Sequence, residues 1–175
     1  MDGLYVAKPL SRRNIREIVM FIRRLFDLNK AEPFPIMRFL ESCMSEIDEN
    51  FNYEIVPIEQ MPDKYAVTYP EEHLIKIRQD VYDRACDGSH LDRFTIAHEI
   101  GHYILHQPAK VAFARSINGK TKIPAFKEPE WQANTFAGEL LAPPDLIKGM
   151  SIPEVSIHFN VSPKVAEIQL EHLIK

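Results

Sequence analysis

Thr95-Ile96-Ala97-His98-Glu99-Ile100-Gly101-His102-Tyr103-Ile104-Leu105-His106 decides the reading of this chain. It sets a His-Glu-x-x-His pattern inside an apolar run. On a helix, residues four apart share a face with side chains about 5–6 Å from each other, so His98 and His102 can hold one Zn²⁺ between them. Glu99 projects about 100° away. That is too far round for a third ligand, but it suits a general base acting on water at the metal. Phe94, Ala97, Gly101 and Leu105 line one flank of the run, and Ile96, Ile100 and Tyr103 line another. A helix apolar on both flanks is buried, and buried imidazoles and carboxylates need partners, which a metal supplies. Asp92 or Ser89 can cap the start of this helix.

A catalytic zinc takes three protein ligands and keeps one position open. His106 lies one further turn along the same helix and cannot swing onto the other face of the ion, so the third ligand comes from elsewhere. Glu130 is the strongest candidate. It opens the next helix, Glu130 to Leu141, where it shares a face with Asn134, Ala137 and Leu141. Glu128 is a weaker rival, and Glu139 lies nearly half a turn round from Glu130, so those two cannot serve one ion. Glu130 could instead simply stabilise its helix N-terminus. Asn134 is placed to accept a hydrogen from the free ring nitrogen of a ligand histidine. Tyr103, His106 and His158 are candidate donors to a transition-state oxyanion.

Away from the centre, the chain reads as one α+β domain, mainly helical. It divides into N-terminal helices (1–50), a sheet and zinc-site core (51–142) and a C-terminal helical tail (145–175). Ser11 caps a helix running to about Leu28, with Ile15, Ile18, Val19, Ile22, Leu25 and Phe26 at helical spacing. Its other face carries Arg12, Arg13, Arg16, Arg23 and Arg24 against Glu17 alone and reads as solvated. Ile36 to Ile47 gives a second amphipathic helix. Three short β-rich runs, Tyr53–Ile58, Tyr65–Tyr69 and His73–Ile77, predict a small three-stranded antiparallel sheet, the last two joined by a turn at Pro70–Glu72. Asp80 to Cys86 reads as a short helix ending at Gly88. Ala109 to Lys127 shows no period and reads as a basic loop with a turn at Asn118-Gly119.

In the tail, Ser151 with Glu154 makes a capping box, Ser162-Pro163 starts a second helix, and Phe159-Asn160-Val161 is the turn between them. This looks like a helix-turn-helix. From Lys148 to Lys175 three lysines face three glutamates, and the whole chain carries a net charge of −4, so direct nucleic-acid binding is not expected. No run of about 18 apolar residues occurs and no signal peptide opens the chain, so a cytoplasmic protein is expected. Cys43 and Cys86 are far apart and read as small core hydrophobes rather than a disulfide or thiolate site.

With these residues assembled, the chain resembles the ImmA/IrrE family of bacterial metallopeptidases. The resemblance rests on Arg93 to His106 and on Glu130-Trp131-Gln132-Ala133-Asn134-Thr135-Phe136-Ala137-Gly138-Glu139-Leu140-Leu141-Ala142-Pro143. The tail from Ile152 to Leu173 is also similar to that family's C-terminal helices. Ala142 departs mildly from the larger apolar residue usual before the proline. The resemblance implies a zincin-like fold with one zinc ion on His98, His102 and Glu130, and Glu99 as catalytic base. It implies as substrate a helix-turn-helix repressor of the phage or mobile-element kind, cut to release transcription. A different class of function remains beside it: a non-catalytic, zinc-containing regulatory or antitoxin-like module that acts by holding its partner.

Overall fold

The computed structural model describes residues 4–30, 32–107, 111–114 and 124–173. Two helices form its centre, α5 (His90–Leu105) and α6 (Pro129–Leu141), packed against each other. Gly101 sets their separation. A β-carbon there would lie 3.1 Å from the Phe136 ring and 3.2 Å from the carbonyl oxygen of Ala133, so any larger residue would press α6 back by a few tenths of an ångström. Ser89 caps α5 by accepting from the Asp92 amide, and Pro129 occupies the first turn of α6.

Around this pair run β1 (Leu4–Ala7), α1 (Arg12–Leu25), α2 (Ile36–Arg38) and α3 (Met44–Ile47), the last two joined by a π-helical turn at Phe39–Cys43. Then come β2 (Asn52–Val56), β3 (Ala66–Tyr69), β4 (Leu74–Arg78) and α4 (Gln79–Cys86), with β5 (Val111–Ala114) between α5 and α6. The chain continues through α7 (Pro144–Ile147), α8 (Ile152–Phe159) and α9 (Pro163–Glu171). One contiguous core joins Ile15, Val19 and Ile22 of α1, Phe34, Phe39 and Met44, Ile75 and Ile77 of β4, both central helices, and Val155, Phe159 and Ala166 of the tail.

The three-stranded sheet is present, but it is mixed rather than antiparallel. Its order is β2-β4-β3, with β3 antiparallel to β4 and β2 parallel to it. The reason is burial. β4 carries Leu74, Ile75 and Ile77, all buried, and takes the middle, whereas β2 buries only Val56 and is left to an edge. The link from β2 to β3 therefore crosses past β4.

A second sheet was not expected. β1 pairs antiparallel with β5, Leu4 opposite Ala114 and Ala7 opposite Val111, so part of the segment read as an aperiodic loop is a strand. The turn expected at Asn118-Gly119 lies outside the described residues. Cys43 is buried as expected, but Cys86 is exposed.

The arginine face of α1 is not simply solvated. Arg12 and Arg16 reach the carboxylate of Glu139, whose side chain is 0% exposed, at 2.9 and 2.7 Å. Arg23 is buried, donates to the Leu140 carbonyl at 2.6 Å and stacks over Phe34. Only Arg13, paired with Glu17, and Arg24 lie in solvent.

The tail keeps its expected form. The Ser151–Glu154 capping box and the Ser162 cap are both made, and Asn160 takes the left-handed conformation that turns α8 into α9. Gln169 of α9 is buried against Gly138, donates to the Ala142 carbonyl and accepts from Arg12. These bonds fasten α9 to α6.

Candidate metal centre

His98 and His102 leave α5 toward α6, and Glu130 leaves the first turn of α6 toward them. The Nε2 atoms of the two histidines lie 2.9 Å apart, and each is 3.3 Å from a different oxygen of Glu130. Among the described residues these three make the one cluster of possible metal-ligating groups, one donor atom each, within 4.8 Å of one another. Glu128, the rival third ligand, is exposed outside this cluster, and Glu139 is taken by the arginines of α1.

The outer hydrogen bonds of the two rings show what faces inward. Asn134 Oδ1 lies 3.0 Å from Nδ1 of His98, one turn beyond Glu130. An amide oxygen only accepts, so Nδ1 of His98 carries a proton toward Asn134 and Nε2 is the ring atom that faces the cluster. On His102, Nδ1 lies 2.9 Å from Nδ1 of His106. Burial pushes the His102 ring down to about 3, with its two histidine neighbours adding to the effect, and burial pushes His106 down as well. Both rings are therefore neutral at pH 7.

Two imidazole nitrogens and a carboxylate converge at 2.9–3.3 Å. Donor atoms held at about 2.0–2.1 Å around a tetrahedral Zn²⁺ are separated by about 3.3 Å, so this set fits a small cation. The mixture of imidazole and carboxylate is also what zinc accepts.

Glu99 lies beside the cluster, and burial raises its carboxyl above the ordinary carboxylate range. The hydroxyl of Thr68 on β3 donates to Glu99 Oε2 at 2.6 Å. Thr68 is a contact that the sequence reading missed, because nothing local in β3 announces the helix it will touch. Since β3 is the outer strand of its sheet, Glu99 sits at the junction of a strand edge and the two-histidine face.

Of the other candidates, His106 is brought to the centre, but as a neighbour of His102; its Nε2 lies 3.0 Å from Oε1 of Gln132. Tyr103 is turned to the opposite flank, where it donates to Asp48 at 2.6 Å beside His73. His158 is exposed on α8. A cleft of about 980 Å³ runs between α5, α6 and α9 and is lined in part by Tyr65, Phe94, Trp131, Val165 and Ile168. Asn134 also lines it, so the cleft adjoins the His98 side of the cluster.

Residues 57–171 match the family described as the IrrE N-terminal-like domain, a peptidase family. The match covers both central helices and most of the tail. No curated protein matches the chain.

Proposed function

The chain belongs to the IrrE N-terminal-like peptidase family, and from that premise we propose that it is a zinc-dependent endopeptidase whose substrate is a helix-turn-helix repressor of a phage or mobile element. The observation that carries the reading is the convergence of two inward-facing imidazole nitrogens and the Glu130 carboxylate, with a second carboxylate, Glu99, beside them.

One zinc ion held by His98, His102 and Glu130 supplies Lewis acidity, polarising a peptide carbonyl and acidifying water. Every other part is played by the chain itself. Glu99, with one oxygen steadied by Thr68, takes a proton from water in the cleft and passes it to the leaving amine. Its raised proton affinity brings it nearer the working pH, where a base can both accept and return a proton. Asn134 orients His98. The edge of β3, unpaired among the described residues, offers backbone groups to an extended substrate segment, as in strand addition to a sheet. The adjoining cleft offers apolar walls for the substrate's side chains. No helix among the described residues is long and apolar enough to cross a membrane.

The test is to express the chain with the repressor encoded beside it, with and without a chelator. One new repressor fragment, lost with chelator and lost in Glu99→Gln, is the expected result. An uncut repressor that stays bound to zinc-loaded protein would favour the binding-module reading instead.

A further inference from the structure

Gln132 is fully buried in α6, two residues after Glu130 and therefore on nearly the opposite face, and every polar atom of its side chain is spoken for. Its nitrogen lies 2.8 Å from the carbonyl oxygen of Lys8 and 2.8 Å from that of Phe126. Backbone carbonyls only accept, so both amide protons go to them and the amide cannot turn over. Oε1 is then forced to face Nε2 of His106 at 3.0 Å, and an amide oxygen likewise only accepts. An imidazole with a single proton at this position therefore carries it on Nε2, and its Nδ1 presents a lone pair. That lone pair faces Nδ1 of His102 at 2.9 Å, which must supply the hydrogen. The consequence reaches the centre: Nε2 of His102 has no proton and presents its lone pair toward His98 and Glu130.

We propose that His106 and Gln132 form a positioning relay, anchored on the backbone at Lys8 and Phe126, that holds His102 in its metal-binding tautomer. The proposal rests on the zinc reading above and assigns two residues their part in it. His106 is a positioning residue rather than a donor to the reaction, because both of its nitrogens are engaged away from the cleft. A histidine standing where a carboxylate or carbonyl often supports a ligand imidazole has an ambiguous direction by itself, since either nitrogen can give or accept. The amide of Gln132, fixed by two carbonyls, removes the ambiguity. The same anchors tie His102 to the point where the chain enters α1 and to the turn that leads into α6, because the Leu10 amide also donates to Phe126 O.

The test begins with nitrogen-15 NMR of the histidine rings in the metal-free, full-length protein. The expected pattern is a proton on Nδ1 of His102 and on Nε2 of His106; a proton on Nε2 of His102 would overturn the relay directly, without any variant. Zinc affinity, measured by competition with a chelating dye, is then compared across variants. Gln132→Met and His106→Phe are expected to bind about 10–100-fold more weakly. His106→Asn keeps an acceptor next to His102 and is expected to recover most of that loss, which a merely space-filling role would not produce. His98→Ala and His102→Ala separate the two claims. If both bind zinc as tightly as the unaltered protein, the metal centre itself is misassigned. If they lose zinc while Gln132→Met and His106→Phe stay within about threefold of the unaltered protein, the centre stands and the relay falls.

Discussion

α6 carries two glutamates that face opposite fates. Glu139, near its C-terminal end, is wholly buried and held by Arg12 and Arg16 from α1. Glu130, at its N-terminal end, has a side chain 67% exposed and, among the described residues, is paired with the two histidines alone. Burying a carboxylate costs several kcal/mol unless charge and hydrogen bonds offset it, so Glu139 is committed to the architecture and can do nothing else. Glu130 is left with its oxygens aimed at the Nε2 atoms of the two histidines, an arrangement that a cation held between them would stabilise. Residue type did not separate the two. Their positions on the helix did, since Glu139 is closed in by α1 and α9 while the first turn that carries Glu130 is open to solvent.

The sharpest way to break this contrast is to remove each carboxylate in turn. Glu139→Ala leaves two cations partly buried and unpaired and is expected to lower unfolding free energy by about 3–5 kcal/mol in urea denaturation. Glu130→Ala is expected to change the stability of the metal-free protein by less than about 1 kcal/mol, while weakening zinc binding by more than the roughly 100-fold that loss of a supporting group produces. Comparable destabilisation by both would erase the distinction.

Gly101→Ala probes the spacing on which both roles depend. Because the added carbon meets the backbone at Ala133 as well as Phe136, the facing turn of α6 must give by a few tenths of an ångström. A cost of about 1–3 kcal/mol is expected, with a larger proportional loss of zinc affinity, read from the same denaturation and dye-competition curves.

Asp48 extends the comparison to the far flank of α5, where a carboxylate serves structure while partly open to water. The Tyr103 hydroxyl is the largest cause holding its pKa down at about 2, with His73 and the Asn50 amide assisting. A carboxyl depressed in the folded state adds stability above its unfolded pKa of about 3.9 and loses it as pH falls through the folded value. Asp48→Asn should therefore lower Tm at pH 7, by the equivalent of about 1 kcal/mol, and the difference should shrink between about pH 4 and pH 2. A difference that is constant with pH would show that the lost contact is not one of charge.

The smallest effect is expected at Arg13, whose exposed pair with Glu17 stands on the same helix as Arg12 and Arg16. Arg13→Ala should alter stability by less than about 0.5 kcal/mol.

The centre was the most legible part of the sequence because its information is local. His98 and His102 are fixed by one turn of helix, and Glu130 with Asn134 by another; only the packing of one helix on the other had to be supplied. What could not be read depends on partners remote in the chain. The arginine stripe of α1 looks solvated until Glu139 arrives. The hairpin β3–β4 was legible from its turn, but the parallel partner of β4 was not, since no turn residue specifies a crossover. β1 and β5 lie in stretches with little periodicity and become strands through each other. Gln132 gives no signal by itself, because its meaning comes from two carbonyls and an imidazole on three other segments.

The bonds that close α6 between α1 and α9 also set a clock. Arg12 meets Gln169 across 157 positions of chain and Glu139 across 127. At about 5–20 residues per second, a ribosome adds the later of these partners roughly 8 to 30 s after Arg12. Through that interval α1 has emerged but its cations have no carboxylate to meet, and once Glu139 is made its burial still waits on α9. The closure of α6 around Glu139 is thus complete only when synthesis is nearly through α9. A nascent chain is expected to gain zinc-dependent protection from proteolysis late and in one step, rather than when His98, His102 and Glu130 first become available.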